Sequence, residues 1–213
     1  MDARIGYFQG DRETGHRWYL MAISHAAKIE TRFAIPGMDP DVGRRTAEIL
    51  QDRLVALLDL TLTLKHVHWN VVGPSFIGVH KMLDEHVDAV RIMSDEAAER
   101  IAALGASPNG LAGSMVESRS WDDYSLMRGT TLEHLGGLDL VYSGLIESHR
   151  SAMEALGDIE PVSQDMLIDQ LKQLEQFHWF VRAHLESSDG SLSTAGAENE
   201  RAAARQAQTG ISS

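Results

Sequence analysis

Five residues of this sequence have metal-binding side chains at spacings a helix can use: His68, His80, Asp84, Asp95 and Glu99. At ~100° per residue, with His80 as zero, Asp84 falls at ~40°, Asp95 at ~60° and Glu99 at ~100°. One histidine and three carboxylates therefore share a single arc of one helix. A solvated acidic face would give the same pattern. Here, however, the arc adjoins Leu83, Val87 and Val90, so part of it should be buried, and a buried carboxylate needs a partner or a cation. His68 lies on an earlier helix, on the stripe 54, 58, 61, 65, 68. Taken alone it reads as a core histidine bonded to a carbonyl.

Axial distance divides the five. His80/Asp84 and Asp95/Glu99 are each i, i+4 couples able to grip one ion from adjacent turns. Their midpoints are fifteen residues apart, ~22 Å along the axis, too far for one metal site. One subunit thus offers two half-sites. A twofold axis near residues 89 and 90 would set His80/Asp84 of one chain against Asp95/Glu99 of another, with His68 closing the ring. Each dimer would then hold two identical sites of two imidazoles and three carboxylates, a ligand set suited to Fe(II), Mn(II) or Zn(II) rather than Mg(II) or Ca(II).

The elements that must position these groups are helices. Asp39 and Asp41 stand where N-caps belong, and Leu50, Leu54, Leu57, Leu58, Thr61 and Leu64 follow on one face. That helix stops at Gly73-Pro74. A second runs from about Phe76 to Leu104 and closes at Gly105. A third carries Leu132, Leu135, Leu138, Val141, Tyr142, Leu145, Ile146 and Met153 up to Gly157. A fourth is capped by Ser163 or Asp165 and carries Met166, Leu167, Leu171, Leu174, Val181 and Leu185. Trp121-Asp122-Asp123-Tyr124 is a possible short helix in the long connection between the second and third. No alternating strand pattern competes, so the fold class is all-α, a four-helix bundle. The organisation is an irregular N-terminal extension over 1–32, the bundle over 33–186, and a disordered C-terminal tail over 187–213 rich in Ser, Ala, Gly and Gln.

With 213 residues, 43% of them hydrophobic, the chain can fill one sizeable core. No apolar run reaches membrane-span length. Zero cysteines remove disulfides, thiolate zinc sites and cysteine nucleophiles together, and with no apolar stretch after Met1 the expected compartment is a reducing cytoplasm. The formal charge of −12 repels nucleic acid and suits cations. An intra-subunit di-iron bundle site of the usual ferritin kind wants Glu-x-x-His on two helices. The two such spacings here are Glu13/His16, in the irregular extension, and Glu175/His178, alone on the fourth helix. That site is not present.

His68-Trp69-Asn70-Val71-Val72-Gly73, followed by Val79-His80-Lys81-Met82-Leu83-Asp84, resembles the signature of Dps, the starvation-induced mini-ferritins. Asp95-Glu96-Ala97-Ala98-Glu99-Arg100, with Gly105 and Pro108 beyond, resembles the family's second motif. The resemblance implies a ferritin-like bundle assembled as a hollow twelve-subunit homo-oligomer. It implies a ferroxidase centre at each twofold interface, with His68, His80 and Asp84 from one subunit and Asp95 and Glu99 from its neighbour. It also implies Fe(II) oxidation, preferably by hydrogen peroxide, with ferric iron stored inside and the cell protected from oxidative damage. Peroxide takes two electrons and each Fe(II) gives one, so a site handling irons in pairs avoids hydroxyl radical. Trp69 is either a trap for stray oxidising equivalents or a packed core indole.

His66 and His86 flank the site as surface or outer-shell groups, Lys65 and Arg100 compensate nearby carboxylates, and Asp139, Glu147 and Asp158 are guesses for the entry pores. Many family members coat DNA through Lys/Arg-rich tails. Here the C-terminal tail offers Arg201 and Arg205 against Asp189, Glu198 and Glu200, so DNA is a weak, salt-sensitive partner and nucleoid coating an alternative role. A metal-dependent amide hydrolase on the same scaffold is a further alternative, although no serine–histidine constellation supports it. The first twenty residues carry three glycines and near-cancelling charges. They read either as a mobile arm or, preferably, as a start placed upstream of Met21.

Overall fold

The computed structural model describes residues 29, 31, 33 and 35–210. Four long helices form the bundle: α1 (Pro40–Asn70), α2 (Phe76–Ala103), α4 (Thr131–Leu156) and α5 (Pro161–Ala183). Two shorter ones, α3 (Ala112–Ser118) and α6 (Glu200–Gly210), lie outside them. Asp39 caps α1 by accepting from the Asp41 amide, with Pro40 in the first turn where a missing N–H costs nothing. Thr130 and Glu133 form a reciprocal capping box on α4. Glu160, rather than Ser163 or Asp165, caps α5, because its carboxylate accepts the Val162 and Ser163 amides while pairing with Arg100 at 2.8 Å.

α2 ends as its sequence predicts. Gly105 adopts φ 86° against the Phe33 carbonyl, a conformation and an approach that a Cβ would forbid. The turn into α2 combines Gly73 at φ 94° with Ser75 at φ 63°. Ser75 is a non-glycine residue in the left-handed region, held there to reverse the chain between α1 and α2.

Three expectations are corrected. The short helix of the long connection is Ala112–Ser118, not Trp121–Tyr124; Trp121 instead donates its Nε1–H to Asp59 at 2.7 Å, tying an extended segment to α1. Two residues on each side of the bundle's end pair as a parallel ladder, Val71 with Gly129 and Val72 with Thr130; strands this short leave no alternation to read. Finally, residues 187–210 are folded. Ala203, Ala204 and Ala207 are buried against α4, where Gly136 lets the backbone of Ala203 approach to 2.7 Å from the place a Cβ would take. Alanine reads as low hydrophobicity in a composition count, yet its small size is what allows this contact. The expectations that fall on residues 1–28, including the role of Met21 and the Glu13/His16 couple, lie outside the described residues.

The core divides in two. One apolar cluster runs from Ala56 to Val67 of α1, and on to Val71, with Leu83, Val87, Leu138 and Leu174; the other gathers Leu50, Leu54, Ile101, Leu156 and Leu167. Between them, His149 Nε2 meets Gln170 Oε1 at 3.0 Å, Gln170 donates to Met93 O and Glu96 at 3.2 Å, and Arg53 donates to Ser148 at 2.6 Å. The middle of the bundle is thus filled by an arginine, a histidine and a glutamine. Burial, followed by the nearby Arg53 charge, pushes the His149 pKa down to about 4.

Candidate metal centre

The last turn of α1 and the second turn of α2 bring three of the five candidate ligands together. One ligand atom each from His68, His80 and Asp84 lies within 4.8 Å of the others. The two imidazoles stack with centroids 3.6 Å apart and planes 22° from parallel. Their Nδ1 atoms bond reciprocally across the helix pair, His68 Nδ1 to the His80 carbonyl and His80 Nδ1 to the His68 carbonyl, both at 3.0 Å. A carbonyl only accepts, so each Nδ1 carries the proton and each Nε2 is left with a lone pair. The His68 carbonyl belongs to the last turn of α1, which lacks intrahelical donors, so the contact also satisfies the helix end. This is the outer-shell arrangement that fixes ligating histidines.

Asp84 accepts from Lys65 Nζ at 2.8 Å and lies 3.3 Å from His68 Nδ1. The Lys65 hydrogen bond, with the Lys65 charge in support, holds its carboxyl below the ordinary aspartate value against partial desolvation. Phe76 packs tilted on His80 at 5.0 Å, a contact the sequence pattern did not single out.

Asp95 and Glu99 do not join this cluster. Both are exposed on the outer face of α2, one helical arm away. Asp88 and Arg91 lie between the two ends and pair at 3.8 Å. Trp69 is not a core indole: it is 71% exposed, with Lys65 Nζ 5.9 Å from its ring centroid. A residue at the end of a helix can share the site's position in sequence and still face outward.

Other assignments divide. His66 is half-buried and bonds the Leu126 carbonyl at 2.7 Å. His86 is neither surface nor outer-shell: it points into the core, accepts or donates at 2.8 Å with Tyr142 Oη, and stacks on Phe177 at 4.0 Å. Burial pushes its pKa down to about 4. Asp139 cannot line a pore, being buried and bonded by His178, Arg182 and Thr194, whereas Glu147 and Asp158 are exposed. The Glu175/His178 couple is also taken up, Glu175 by Arg150 and His178 by Asp139. Ser143 lies 3.4 Å from His178 Nε2, the same nitrogen that bonds Asp139. A nucleophile relay needs opposite ring nitrogens, so this group is no hydrolytic triad.

This arrangement agrees with what the chain is similar to. Residues 47–189 match the Ferritin-like domain family. The chain is 53% identical over 178 residues to the "DNA protection during starvation protein" of Mycolicibacterium smegmatis, covering 84% of this chain and 97% of that protein. The chain belongs to the Dps family of ferritin-like proteins. A solved tetragonal form of Mycobacterium smegmatis Dps superposes with TM-score 0.75 at 55% identity, over 76% of this chain and 99% of that one. DpsA14 from Streptomyces coelicolor gives TM-score 0.76 at 54% identity, over 78% and 99%. No helix among the described residues is long and apolar enough to cross a membrane.

Proposed function

We propose that this Dps-family chain is a ferroxidase that takes Fe(II) as substrate at sites shared between subunits. In this reading it prefers hydrogen peroxide as oxidant and stores the ferric product inside a homo-oligomeric, dodecameric shell. The observation that carries the reading is the half-built centre: two imidazoles with Nδ1 tied to carbonyls and a carboxylate beside them. Neutral nitrogen with oxygen suits Fe(II), and oxygen ligands favour the ferric product. His68, His80 and Asp84 would hold iron from one side, and Asp95 and Glu99 of the partner subunit from the other. Trp69, beside His68, would intercept oxidising equivalents that escape pairing.

Residue arithmetic supports the twofold. His80 with Glu99, Asp84 with Asp95, and Asp88 with Arg91 each have numbers summing to 179, so one axis at the level of residues 89 and 90 sets each residue opposite its counterpart. Asp88 then meets the partner's Arg91. Leu62, 57% exposed, and Ile92, 62% exposed, supply apolar area on the same face. The −12 charge favours entry of cations into a shell.

DNA is a lesser partner in this reading, although relatives are named for DNA protection. The tail's Arg201 donates to the Ser125 carbonyl and its neighbour Glu200 accepts the Ser125 amide. Two arginines per chain give weak, salt-sensitive contact.

Subunit mixing tests the shared site. Pure His80→Ala and pure Asp95→Ala shells should each lose peroxide-driven Fe(II) oxidation. In a one-to-one co-assembly, half the dimers are mixed and each keeps one intact site, so about a quarter of the wild-type sites return. Stopped-flow oxidation rates that stay at the pure-mutant level across all mixing ratios place the site within one subunit.

A further inference from the structure

The C-terminal helix points its last turn at an open apolar groove, and the chain that follows carries one large apolar side chain that could fill it. We propose that Ile211 seats in this groove of its own chain and fastens the tail to the end of the bundle. The proposal is independent of how subunits pair.

α6 runs antiparallel to α4. Ala203 packs at Gly136, and Gln208, further on, donates to Thr130 Oγ1 at 3.3 Å, at the N-cap of α4. The buried positions of α6 are Ala203, Ala204 and Ala207. The chain continues as Gly210-Ile211-Ser212-Ser213. Positions 204, 207 and 211 are spaced three and four apart, so position 211 carries on the stripe that faces α4. Ile211 is also the only large apolar residue after Leu192. The alanines before it have little apolar area with which to hold a helix of eleven residues, too short to persist alone.

A groove of about 700 Å³ opens ahead of that stripe. Gln208 and Thr209 form its near wall. Leu132 and Leu135 of α4, Val79 of α2 and Pro74 of the α1–α2 turn supply its apolar surface. Val79 and Leu135 belong to the buried apolar cluster, and Leu132 packs half-buried against it. A side chain seated here therefore extends the core. The groove is preformed, because Thr131 Oγ1 donates to the Pro74 carbonyl at 3.1 Å and holds the start of α4 to the turn. Thr209 already lines it, and the two residues from there to Ile211 span at most ~7 Å. His80 and Asp84 are not among its walls, so the fastening acts on the tail and not on the metal ligands.

The chain has no cysteine, so a disulfide between introduced thiols reports the seat. In the assembled protein, mild oxidation of Ile211→Cys/Leu132→Cys should link the two peptides within single chains. Ile211→Cys/Val116→Cys, whose second thiol stands on the exposed face of α3, should give no such link. A covalent dimer from the first pair means that a neighbour's Ile211 fills the groove, and overturns the intrachain seat. Because a thiol replaces the isoleucine itself, hydrogen exchange supplies a second measurement with the groove intact. Ile211→Ser should speed amide exchange over 200–210 about ten- to a hundredfold, the effect of losing one buried isoleucine. Ile211→Val should stay close to wild type. Exchange in Ile211→Ser that matches the wild type overturns the proposal, whatever the thiols do.

Discussion

At its N-terminal end α2 holds His80 and Asp84 against the last turn of α1, with three ligand atoms inside 4.8 Å and two imidazoles fixed by carbonyls. Near its C-terminal end Asp95 and Glu99 are exposed on the same helix, and among the described residues no histidine joins them in a metal-holding group. Both couples have i, i+4 spacing and carry metal-binding chemistry. What separates them is the neighbour. α1 arrives at the first end with His68 and Lys65. At the second end α1 presents Leu54 and Leu58, and the adjoining space is an open groove. A helix face becomes a site only where another element delivers the missing ligand, here from the same chain at one end and, on the proposed twofold, from a partner at the other.

The most severe way to break this comparison is to separate the subunits. On the proposed twofold, Arg91→Glu with Leu62→Glu sets like charges opposite the partner's Asp88 and polar groups in the apolar contact. Light scattering should then show single chains, and Fe(II) oxidation should fall about a hundredfold or more. The first end should still bind one Co(II) or Zn(II) per chain weakly, read by titration calorimetry, while the second binds none. Oxidation that survives in single chains would erase the distinction between the ends.

Between the two ends, α2 turns its second histidine, His86, inward, and pH sharpens the contrast there. Folded His86 and His149 have pKa values near 4 because burial disfavours their charged forms, against an ordinary 6.5. The unfolded chain therefore binds more protons between those values. Stability is full above about pH 6.5 and falls as pH drops toward 4, by up to about 1.4 kcal/mol per pH unit for each histidine. Denaturant midpoints followed over this range should show that slope. His86→Phe should remove one proton's share; an unchanged slope would mean that His86 is not held neutral in the fold.

Much of this was legible from residue types because helix periodicity is local. The arc of His80, Asp84, Asp95 and Glu99, the Asp39 cap and the Gly105 stop all follow from spacing within one segment. The pairing of His68 with His80 was inferred from ligand need and is found through reciprocal carbonyl bonds. Orientation was less legible. Trp69 faces out and His86 faces in because each side depends on what packs beyond the helix, which spacing along one helix does not encode. The folding of 187–210 was misread for a related reason: alanines carry little apolar area by themselves, and their burial depends on Gly136, more than sixty residues away.

The smallest expected effect concerns that folded tail, which should be independent of both ends of α2. Thr194 donates to Asp139 Oδ2 at 2.6 Å, while His178 and Arg182 bond Oδ1 at 2.7 and 2.8 Å. Burial alone would raise the Asp139 pKa, yet these three bonds together hold it well below the ordinary carboxylate value. Thr194→Val leaves the carboxylate two of its three partners and should cost about 1 kcal/mol. At eleven residues, α6 is too short to persist without its contact on α4. Looser anchoring should therefore speed amide exchange over 200–210 before global stability changes. Fe(II) oxidation should stay at the wild-type rate, since neither half-site touches the tail. A drop in oxidation with this variant would couple the tail to the metal centre. The contrast between the ends of α2 would then depend on more than the two helices that frame them.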